Sequence, residues 1–335
     1  MPRVTSQDVA RRAGVSQSAV SRVFSGASAS KTTIARVRAA ATELGYRPNV
    51  LARSLITGRS RIVGLVVAHL DNQFYPDALA RLSEALQARG YHILVFLAAD
   101  AGAGTQAVIE ELLDYQVDGI VLASVSMSDD LAARCEAAGI PVVLFNRGQD
   151  DVRFSEVTSD NFDGAARVAA FLAGAGHRRI AHVAGWLGAS TGRDRLAGFR
   201  AGLAEAGCDL LGVEAGNYRR DTAADAAERL LETVAPDALF VGNDHMAFAV
   251  LDRLRHDMGL RVPEDVSVVG YDDVPMAAWP AYGLTTVRQP SGRMVECAVE
   301  VLLARMEDPA RPPQRIALES TLIVRGSARV RPGPD

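Results

Sequence analysis

The sequence predicts an α/β protein with a small helical head at its N-terminus and two doubly wound lobes after it. Three observations favour this fold class. The first 61 residues are basic and contain short helical patterns, whereas from residue 62 onward short apolar runs alternate with amphipathic stretches. The 335 residues suffice for two or three domains. Seven apolar runs suit two sheets of ordinary width better than one wide sheet.

Charge is distributed unevenly along the chain. Residues 1–61 contain eleven basic side chains and two acids, so this segment carries +9 while the whole chain carries −4. A basic head on an acidic body points to an anionic partner for the head alone, and nucleic acid fits better than a membrane surface.

Composition argues against several other classes of protein. No apolar run approaches the roughly 18 to 20 residues that span a bilayer, and the polar, basic start lacks the apolar segment of a secretion signal. We therefore expect a cytoplasmic protein, associated with the nucleoid, without contact to a membrane. Cys135, Cys208 and Cys297 are dispersed and lack CxxC spacing, so we expect no disulfide framework, metal or cofactor.

Three helices are predicted in the head. Apolar spacing favours helices over 6–13 and 17–24, joined by a turn at Gly14, and a third helix from a cap at Ser30 to Gly45. Two short helices joined by a glycine-containing turn are typical of a helix-turn-helix motif, whose second helix enters the major groove of DNA.

The exposed face of the second predicted helix carries side chains suited to DNA. Arg22 and Gln17 have the hydrogen-bonding groups that read guanine and adenine edges, and Ser18 lies beside them. Ser16 and Ser21 suit phosphate contacts. The alternative is a solvated helical hairpin without a ligand, but the charge of the head favours DNA binding.

The body reads as repeated βα units, which form parallel sheets with helices on both faces. Strands are predicted over 62–69, 92–98, 118–124, 141–146, 179–185, 237–243 and 266–272. A boundary between two lobes is expected near residue 160. Ligands of such folds bind beyond the carboxyl ends of the strands, so two facing lobes would form a cleft.

Long blocks spread over nearly the whole chain point to one family. The head contains DVARRAGVSQSAVSRVFSG and LGYRPNVLARSLITGRS, and the body contains SDNFDGA, GHRRIAHVAG, RDRLAGFRAGL, NDHMAFAVL, VPEDVSVVGYDDVP, LTTVRQP and IVRGS. In these blocks the sequence resembles the LacI/GalR family of bacterial transcription regulators. The resemblance implies a helix-turn-helix domain over 1–48, a hinge helix and linker over 49–61, and a core over 62–330.

The same resemblance implies an effector-binding and dimerisation core of periplasmic-binding-protein type. The chain would cross between its subdomains near 160, 289 and 320. Paired hinge helices of a homodimer would enter the minor groove of a palindromic operator, with Leu55 as an apolar wedge. The implied hinge contacts are Asn49, Ala52, Arg53 and Leu55. The alternative for Leu55 is an ordinary apolar residue of a linker.

Matching the family's pocket motifs to this chain implies an effector site in the cleft. The implied residues are Phe74, Asn146, Asp160, Arg193, Arg195, Tyr218, Asn243, Asp272 and Gln289. Aromatic faces stack on a sugar or base, while carboxylates, amides and arginine bond hydroxyl groups. Helix capping is the alternative for Asp160 and Asp272, and an exposed or salt-bridged position is the alternative for Arg193 and for the nearby Arg147.

The sequence thus predicts a DNA-binding transcription regulator, and specifically a repressor, controlled by a small polar metabolite. The effector is expected to be a sugar, sugar acid or sugar phosphate, with a purine or another metabolite as the alternative. Gly188–Gly192 matches the GxSxG pattern of serine hydrolases and is the one argument for an enzyme. That segment lies in a block the family resemblance already explains, so we expect no enzymatic activity.

Overall fold

The computed structural model describes residues 4–25, 28–47, 59–98, 103–125, 128–150 and 152–330. The chain divides into two compact units, residues 1–61 and residues 62–335, which we call the head and the body. The expected hinge helix lies outside the described residues, together with its implied contacts Asn49, Ala52, Arg53 and Leu55.

The described part of the head contains the three predicted helices, α1 (Ser6–Ala13), α2 (Gln17–Ser25) and α3 (Lys31–Leu44). The first helix begins at a capping box, in which the side chains of Thr5 and Asp8 each accept a hydrogen bond from the other's backbone N–H. It ends at Gly14, whose φ of +64° favours a residue without a Cβ atom. Each helix contributes at least one buried valine to a small shared core, which contains Val9, Val20, Val23 and Val37.

Within the described residues, the body contains two six-stranded sheets. The first sheet has the order β11-β5-β4-β3-β1-β2 and is parallel throughout. Its strands are β1 (Ile62–Val67), β2 (His92–Leu97), β3 (Gly119–Ala123), β4 (Val142–Phe145), β5 (Ser155–Ser159) and β11 (Arg315–Leu318). Its helices are α4 (Phe74–Gln87), α5 (Ala103–Asp114), α6 (Asp129–Ala137) and α11 (Ser291–Glu307). These elements form the first lobe.

The second lobe is built on the order β12-β10-β9-β8-β6-β7, in which only the pairing of β12 with β10 is antiparallel among the described strands. Its strands are β6 (Ile180–Ala184), β7 (Leu210–Ala215), β8 (Ala238–Val241), β9 (Ser267–Asp272), β10 (Thr285–Arg288) and β12 (Thr321–Ile323). Its helices are α7 (Asn161–Gly174), α8 (Ser190–Glu205), α9 (Arg220–Val234) and α10 (Asp244–Asp252). A π-helical turn (Arg253–Asp257) follows α10 directly, and a 3-10 turn (Pro275–Ala278) follows β9.

The order of the strands carries the chain from one lobe to the other. The chain passes to the second lobe after β5, returns to the first lobe after β10, and crosses again between β11 and β12. The last two crossings flank α11, which packs on the first lobe against β4 and β5. The segments that join the lobes therefore lie close to the ends of strands in both sheets.

Five strands were absent from the sequence prediction: β5, β7, β10, β11 and β12. Three of them are edge strands and the other two lie next to an edge. The residues of β5 (SEVTS) alternate between buried and partly exposed positions, whereas β7 and β11 contain no buried residue. Because these strands lack a continuous apolar run, the pattern that identified the central strands missed them.

Two glycines allow α7 and α8 to pack closely. A Cβ atom at Gly198 would lie 1.9 Å from the carbonyl oxygen of Phe162, and one at Gly202 would lie 2.7 Å from that of Ala166. Both close neighbours are backbone atoms, which cannot rotate away. The spacing of α8 from α7 therefore depends on the absence of side chains at these two positions.

We expect Gly198→Ala to lower the free energy of unfolding by about 1 to 3 kcal/mol or more, because the methyl group forces the two helices apart. Thermal melting of the purified variant measures this loss. Gly174→Ala, at an exposed helical glycine with open space around its Cβ position, is the matched control. It should leave the melting temperature unchanged or slightly raised. Equal melting temperatures for the Gly198 variant and the wild type would contradict the packing argument.

A buried histidine lies in the core of the second lobe. The His182 Nδ1–H donates to the Phe240 carbonyl at 2.9 Å, and the imidazole stacks on the Phe240 ring at 4.7 Å. Its Nε2 atom is buried without a hydrogen-bond partner. Burial lowers the pKa of His182 to about 4, since the charged form has no water around it.

The lowered pKa predicts an acid-sensitive core. The folded state binds the His182 proton less readily than the unfolded state, so stability is full above about pH 6.5 and is lost as pH falls toward about 4. Between about pH 7 and about pH 4.5, wild type should lose about 2 to 3 kcal/mol relative to His182→Phe, which cannot titrate. Urea unfolding of both proteins across this range measures the difference. A difference independent of pH would refute a neutral buried imidazole.

Candidate functional site

The exposed face of α2, together with the residue before it, carries the five residues of the helix-turn-helix that the sequence assigned to DNA. Ser16, Gln17, Ser18, Ser21 and Arg22 are exposed, while Val20 and Val23 on the opposite face are buried. The Ser16 hydroxyl accepts a hydrogen bond from the Ala19 N–H at 3.2 Å and so caps the helix. Gln17 donates to the Ser6 hydroxyl of α1 at 3.0 Å. The Arg22 guanidinium has no ion-pair partner among the described residues, so its donors face solvent.

The acids of the head are already neutralised by local arginines. Asp8 pairs with Arg11 at 3.4 Å, and Glu43 pairs with Arg12 at 2.7 Å. Asp8 also accepts hydrogen bonds from Thr5, which lower the pKa of its carboxyl. Since neither carboxylate lies on the exposed face of α2, nothing there opposes an approaching phosphate.

In the body, polar side chains follow the carboxyl ends of strands in both lobes and meet in a pocket. This inner pocket is lined by His69, Asn72, Tyr75, Asn146 and Arg147 of the first lobe, and by Thr191, Arg195, Tyr218, Asn243 and Asp272 of the second. A wider cavity of about 550 Å³, the outer chamber, shares His69, Arg147 and Tyr218 with the inner pocket. The outer chamber is also lined by Asp71, Trp186, Asn217, Arg219, Arg220, Asp221 and His245.

The backbone around the inner pocket adopts unusual conformations. His69, Asn146, Tyr218 and Asp272 have positive φ angles of 60°, 70°, 59° and 130°. Such angles are costly for residues with a Cβ atom and persist where the surrounding structure enforces them. Four such residues at one pocket indicate that the surrounding structure enforces backbone strain there, and this strain sets the directions of their side chains.

A buried ion pair forms the floor of the pocket. Arg195 lies 3.5 Å from the Asp272 carboxylate and stacks on the Tyr271 ring, with its guanidinium carbon 3.7 Å from the ring centre. The guanidinium also donates to Asn161 Oδ1 at 2.8 Å and to the Gly242 carbonyl at 2.6 Å. These contacts fix the direction of Arg195, because the planar guanidinium can meet all of them in one orientation only.

Gln289 joins this ion pair to the segment that connects the lobes. Its amide donates to Asp272 Oδ1 at 2.7 Å, and its carbonyl accepts from the Ser159 hydroxyl at 2.8 Å. Burial raises the pKa of Asp272 to about 6, although Arg195 and the hydrogen bonds from Gln289 and Asn72 favour the charged form. Asp272 accepts hydrogen bonds from Gln289 and Arg195.

Contacts across the cleft hold the two lobes together. The Gly148 N–H donates to the Ser190 hydroxyl at 3.0 Å, and His245 Nε2 lies 3.3 Å from Asp71. Burial lowers the pKa of His245, whereas Asp71 favours its protonated form. Ser190 is the serine of the GxSxG segment, and its hydroxyl accepts this hydrogen bond at the start of α8.

The pocket brings together five of the nine expected effector residues: Asn146, Arg195, Tyr218, Asn243 and Asp272. Gln289 lies behind the lining and bonds Asp272. Asn243 also caps α10, since its side chain accepts from the Met246 N–H at 3.0 Å. These expectations agree with the geometry, but ligand binding itself stays a prediction.

Three expected residues lie elsewhere. Phe74 packs into the core with its ring stacked on Phe145 at 6.4 Å, and its neighbour Tyr75 lines the pocket instead. Asp160 caps α7 by accepting from the Asp163 N–H at 2.9 Å, which was the alternative for this residue. Arg193 is exposed and donates to the Gly188 carbonyl at 3.1 Å.

Sequence reasoning missed several residues that line the pocket. His69 and Asn72 follow β1, Tyr75 is the second residue of α4, and Thr191 follows Ser190 in α8. Their positions after the ends of strands were the available signal. An exposed or salt-bridged position was the alternative given for Arg147, but only 8% of its surface is accessible. Among the described residues, no group of His, Cys, Asp or Glu could hold a metal ion.

Comparison with known proteins identifies the class to which this architecture belongs. Residues 5–49 match the bacterial regulatory proteins of the lacI family, and residues 169–328 match the periplasmic binding protein-like domain. The ribose operon repressor of Escherichia coli K12 is 33% identical over 331 residues, which cover 97% of this chain and 99% of the relative. The chain belongs to the LacI family of bacterial transcriptional regulators.

Solved structures of the family agree in fold. The Lac repressor dimer bound to operator and the anti-inducer ONPF has a TM-score of 0.88 and 28% identity, covering 98% of this chain and all of that chain. The complex of the transcriptional regulator CelR with cellobiose has a TM-score of 0.73 and 34% identity, covering 97% of this chain and all of that chain. This protein is thus a DNA-binding repressor-family regulator with an effector domain.

Two further expectations from the sequence can be compared with these findings. Since the family consists of transcriptional repressors and not enzymes, the hydrolase alternative at Gly188–Gly192 is wrong. None of the described helices is long and apolar enough to cross a membrane.

We expect Arg22→Ala to weaken specific DNA binding by about 1 to 3 kcal/mol and to relax base preference at one position of the site. Arg200→Ala removes the same charge from an exposed position of α8 in the body, and it should change neither property. Competition binding against a randomised site library measures affinity and preference together. An Arg22 variant that keeps both would contradict the assignment of α2 to the major groove.

Proposed function

We propose that this protein represses transcription by binding a palindromic operator as a homodimer, under the control of a sugar or sugar derivative in the inner pocket. The observation that carries the proposal is the buried Asp272–Arg195–Gln289 network at the meeting point of both sheets. A carboxylate and a guanidinium held rigidly in a cleft suit a ligand with several hydroxyl groups.

The remaining lining supports the same ligand chemistry. Asn146 donates to the Tyr75 hydroxyl at 3.0 Å, which leaves its buried Oδ1 atom without a hydrogen-bond partner. A buried acceptor without a donor is costly, and a ligand hydroxyl would satisfy it. Tyr218 borders the pocket with its ring, a surface against which the face of a sugar can pack.

The DNA-binding part of the proposal rests on α2 and on the hinge segment. Arg22, Gln17 and Ser18 would read base edges, while Ser16 and Ser21 would contact phosphates. The implied hinge residues Asn49, Ala52, Arg53 and Leu55 would bind the minor groove at the centre of the operator. A relative that was crystallised as a dimer on its operator supports this arrangement. We accordingly propose a DNA-binding domain over 1–48, a hinge over 49–61 and an effector core over 62–330.

The contacts across the cleft supply a route from ligand to DNA. A ligand that touches both lobes favours one angle between them, and contacts such as Gly148–Ser190 exist only at a suitable angle. A change of this angle alters the separation of the two hinges in a dimer. The ligand shifts operator affinity by its difference in affinity for the two states, typically about 1 to 3 kcal/mol.

The test is thermal melting of the full-length protein against neutral sugars, sugar acids, sugar phosphates and purines, followed by operator binding with each hit. A ligand at 100 times its Kd adds about 2.7 kcal/mol of stability, which raises the melting temperature by several degrees. Asp272→Asn should abolish the shift because the amide is a weaker acceptor and leaves Arg195 unpaired. If no compound raises the melting temperature or alters operator affinity, the proposed effector class is wrong.

A further inference from the structure

We infer that the effector is an anion, a polyhydroxylated molecule bearing a carboxylate or phosphate group, and that Arg147 binds this group. The inference rests on the proposed function, since it names the ligand class of the same pocket. Arg147 contributes to the lining of both the inner pocket and the outer chamber. A group bound to it would therefore lie where the two cavities meet.

Arg147 is a buried cation without an anion. Only 8% of its surface is accessible, yet no carboxylate in the described part of the chain lies within ion-pair distance of its guanidinium. One terminal nitrogen donates to the Ser124 carbonyl at 2.8 Å, and the buried Nε atom has no hydrogen-bond partner. A buried charge is costly unless it is paired, so this position calls for an anion from outside the chain.

Two other arginines in the linings of these cavities have ion-pair partners. Arg195 is paired with Asp272 at 3.5 Å, and Arg220 lies 3.4 Å from Asp252. The Tyr218 ring, whose centre lies 5.3 Å from the Arg147 guanidinium carbon, offers a π face but no negative charge. Of the two arginines that line the inner pocket, Arg147 is thus the one without an ion-pair partner among the described residues.

The inner pocket and the outer chamber offer different chemical groups to the two ends of such a ligand. The inner pocket presents the Asp272 carboxylate and the free oxygen of Asn146, which accept hydrogen bonds from hydroxyl groups. The outer chamber of about 550 Å³ is lined by three arginines, Arg147, Arg219 and Arg220, and by two carboxylates, of which Asp71 lies beside His245 and Asp221 is the other. The sugar end would face Asp272, and the oxyanion would face Arg147. An arginine fork matches both carboxylate and phosphate.

The experiment measures binding of matched neutral and anionic probes to the full-length protein by calorimetry and thermal melting. The pairs are D-glucose with D-gluconate and with glucose 6-phosphate, and D-ribose with ribose 5-phosphate. At least one anionic probe should bind at least about tenfold more tightly than its neutral counterpart. Gluconate alone would assign a carboxylate, and a phosphorylated probe alone would assign a phosphate.

Variants test the role of Arg147 directly. Arg147→Gln should weaken the anionic probe roughly 10- to 100-fold, the scale of a hydrogen bond to a charged group. Arg147→Lys keeps the charge and should bind the anionic probe with intermediate affinity. Arg200→Gln removes the same charge from an exposed position of α8, and its affinity should equal that of wild type. The melting temperature of each variant without ligand shows that it is folded.

The outcomes separate the two proposals. Tighter binding of a neutral sugar than of its anionic partner, or an equal loss for both in Arg147→Gln, overturns the inference and leaves the proposed function standing. An Arg147→Lys variant that binds no better than Arg147→Gln, with both folded, also overturns the role of the charge. Failure of every sugar, neutral or anionic, to bind or to change operator affinity removes the sugar effector from the proposed function.

Discussion

The ion pair between Arg195 and Asp272 is the interaction on which the architecture of the cleft depends. Through one guanidinium, the start of α7, the loop after β8 and the end of β9 are tied to α8. Both charges are almost completely buried, so removal of either would leave the other without compensation. Gln289 carries the network onward to Ser159, where the chain leaves the first lobe. The pocket floor and the connection between the lobes therefore share one set of hydrogen bonds.

A second buried carboxylate supports the strained turn that carries Asp272. Asp244 accepts from the Val274 N–H at 3.0 Å and from the Thr286 hydroxyl at 2.5 Å. It can approach because a Cβ atom at Gly270 would lie only 2.3 Å from its Oδ1 atom. Burial and the nearby Asp272 both raise the pKa of Asp244. The site thus keeps two carboxylates in different roles, one that faces the pocket and one that holds the backbone behind it.

The sequence pattern predicted the strands that are buried along their whole length. It missed pocket residues whose positions depend on tertiary contacts. The central strands β3, β4, β8 and β9 are buried throughout and read directly as apolar runs. Phe74 and Tyr75 are adjacent aromatic residues at the start of α4, and no local pattern determines which one faces the cleft. The burial of Arg147 follows from the turn after β4 and from Tyr218, which lies in the other lobe. Contacts with residues that are distant in the chain leave no recognisable pattern in the sequence around Arg147.

The hydrogen bond from Gly148 to Ser190 is formed by a backbone donor on one lobe and a side-chain acceptor on the other. Every residue except proline supplies the backbone donor, so only the acceptor is open to ordinary substitution. Ser190 is outside the set of residues that line the inner pocket, although its neighbour Thr191 belongs to it. Under the proposed function, a substitution at Ser190 would therefore change how firmly the lobes are held together without altering a residue that lines the inner pocket.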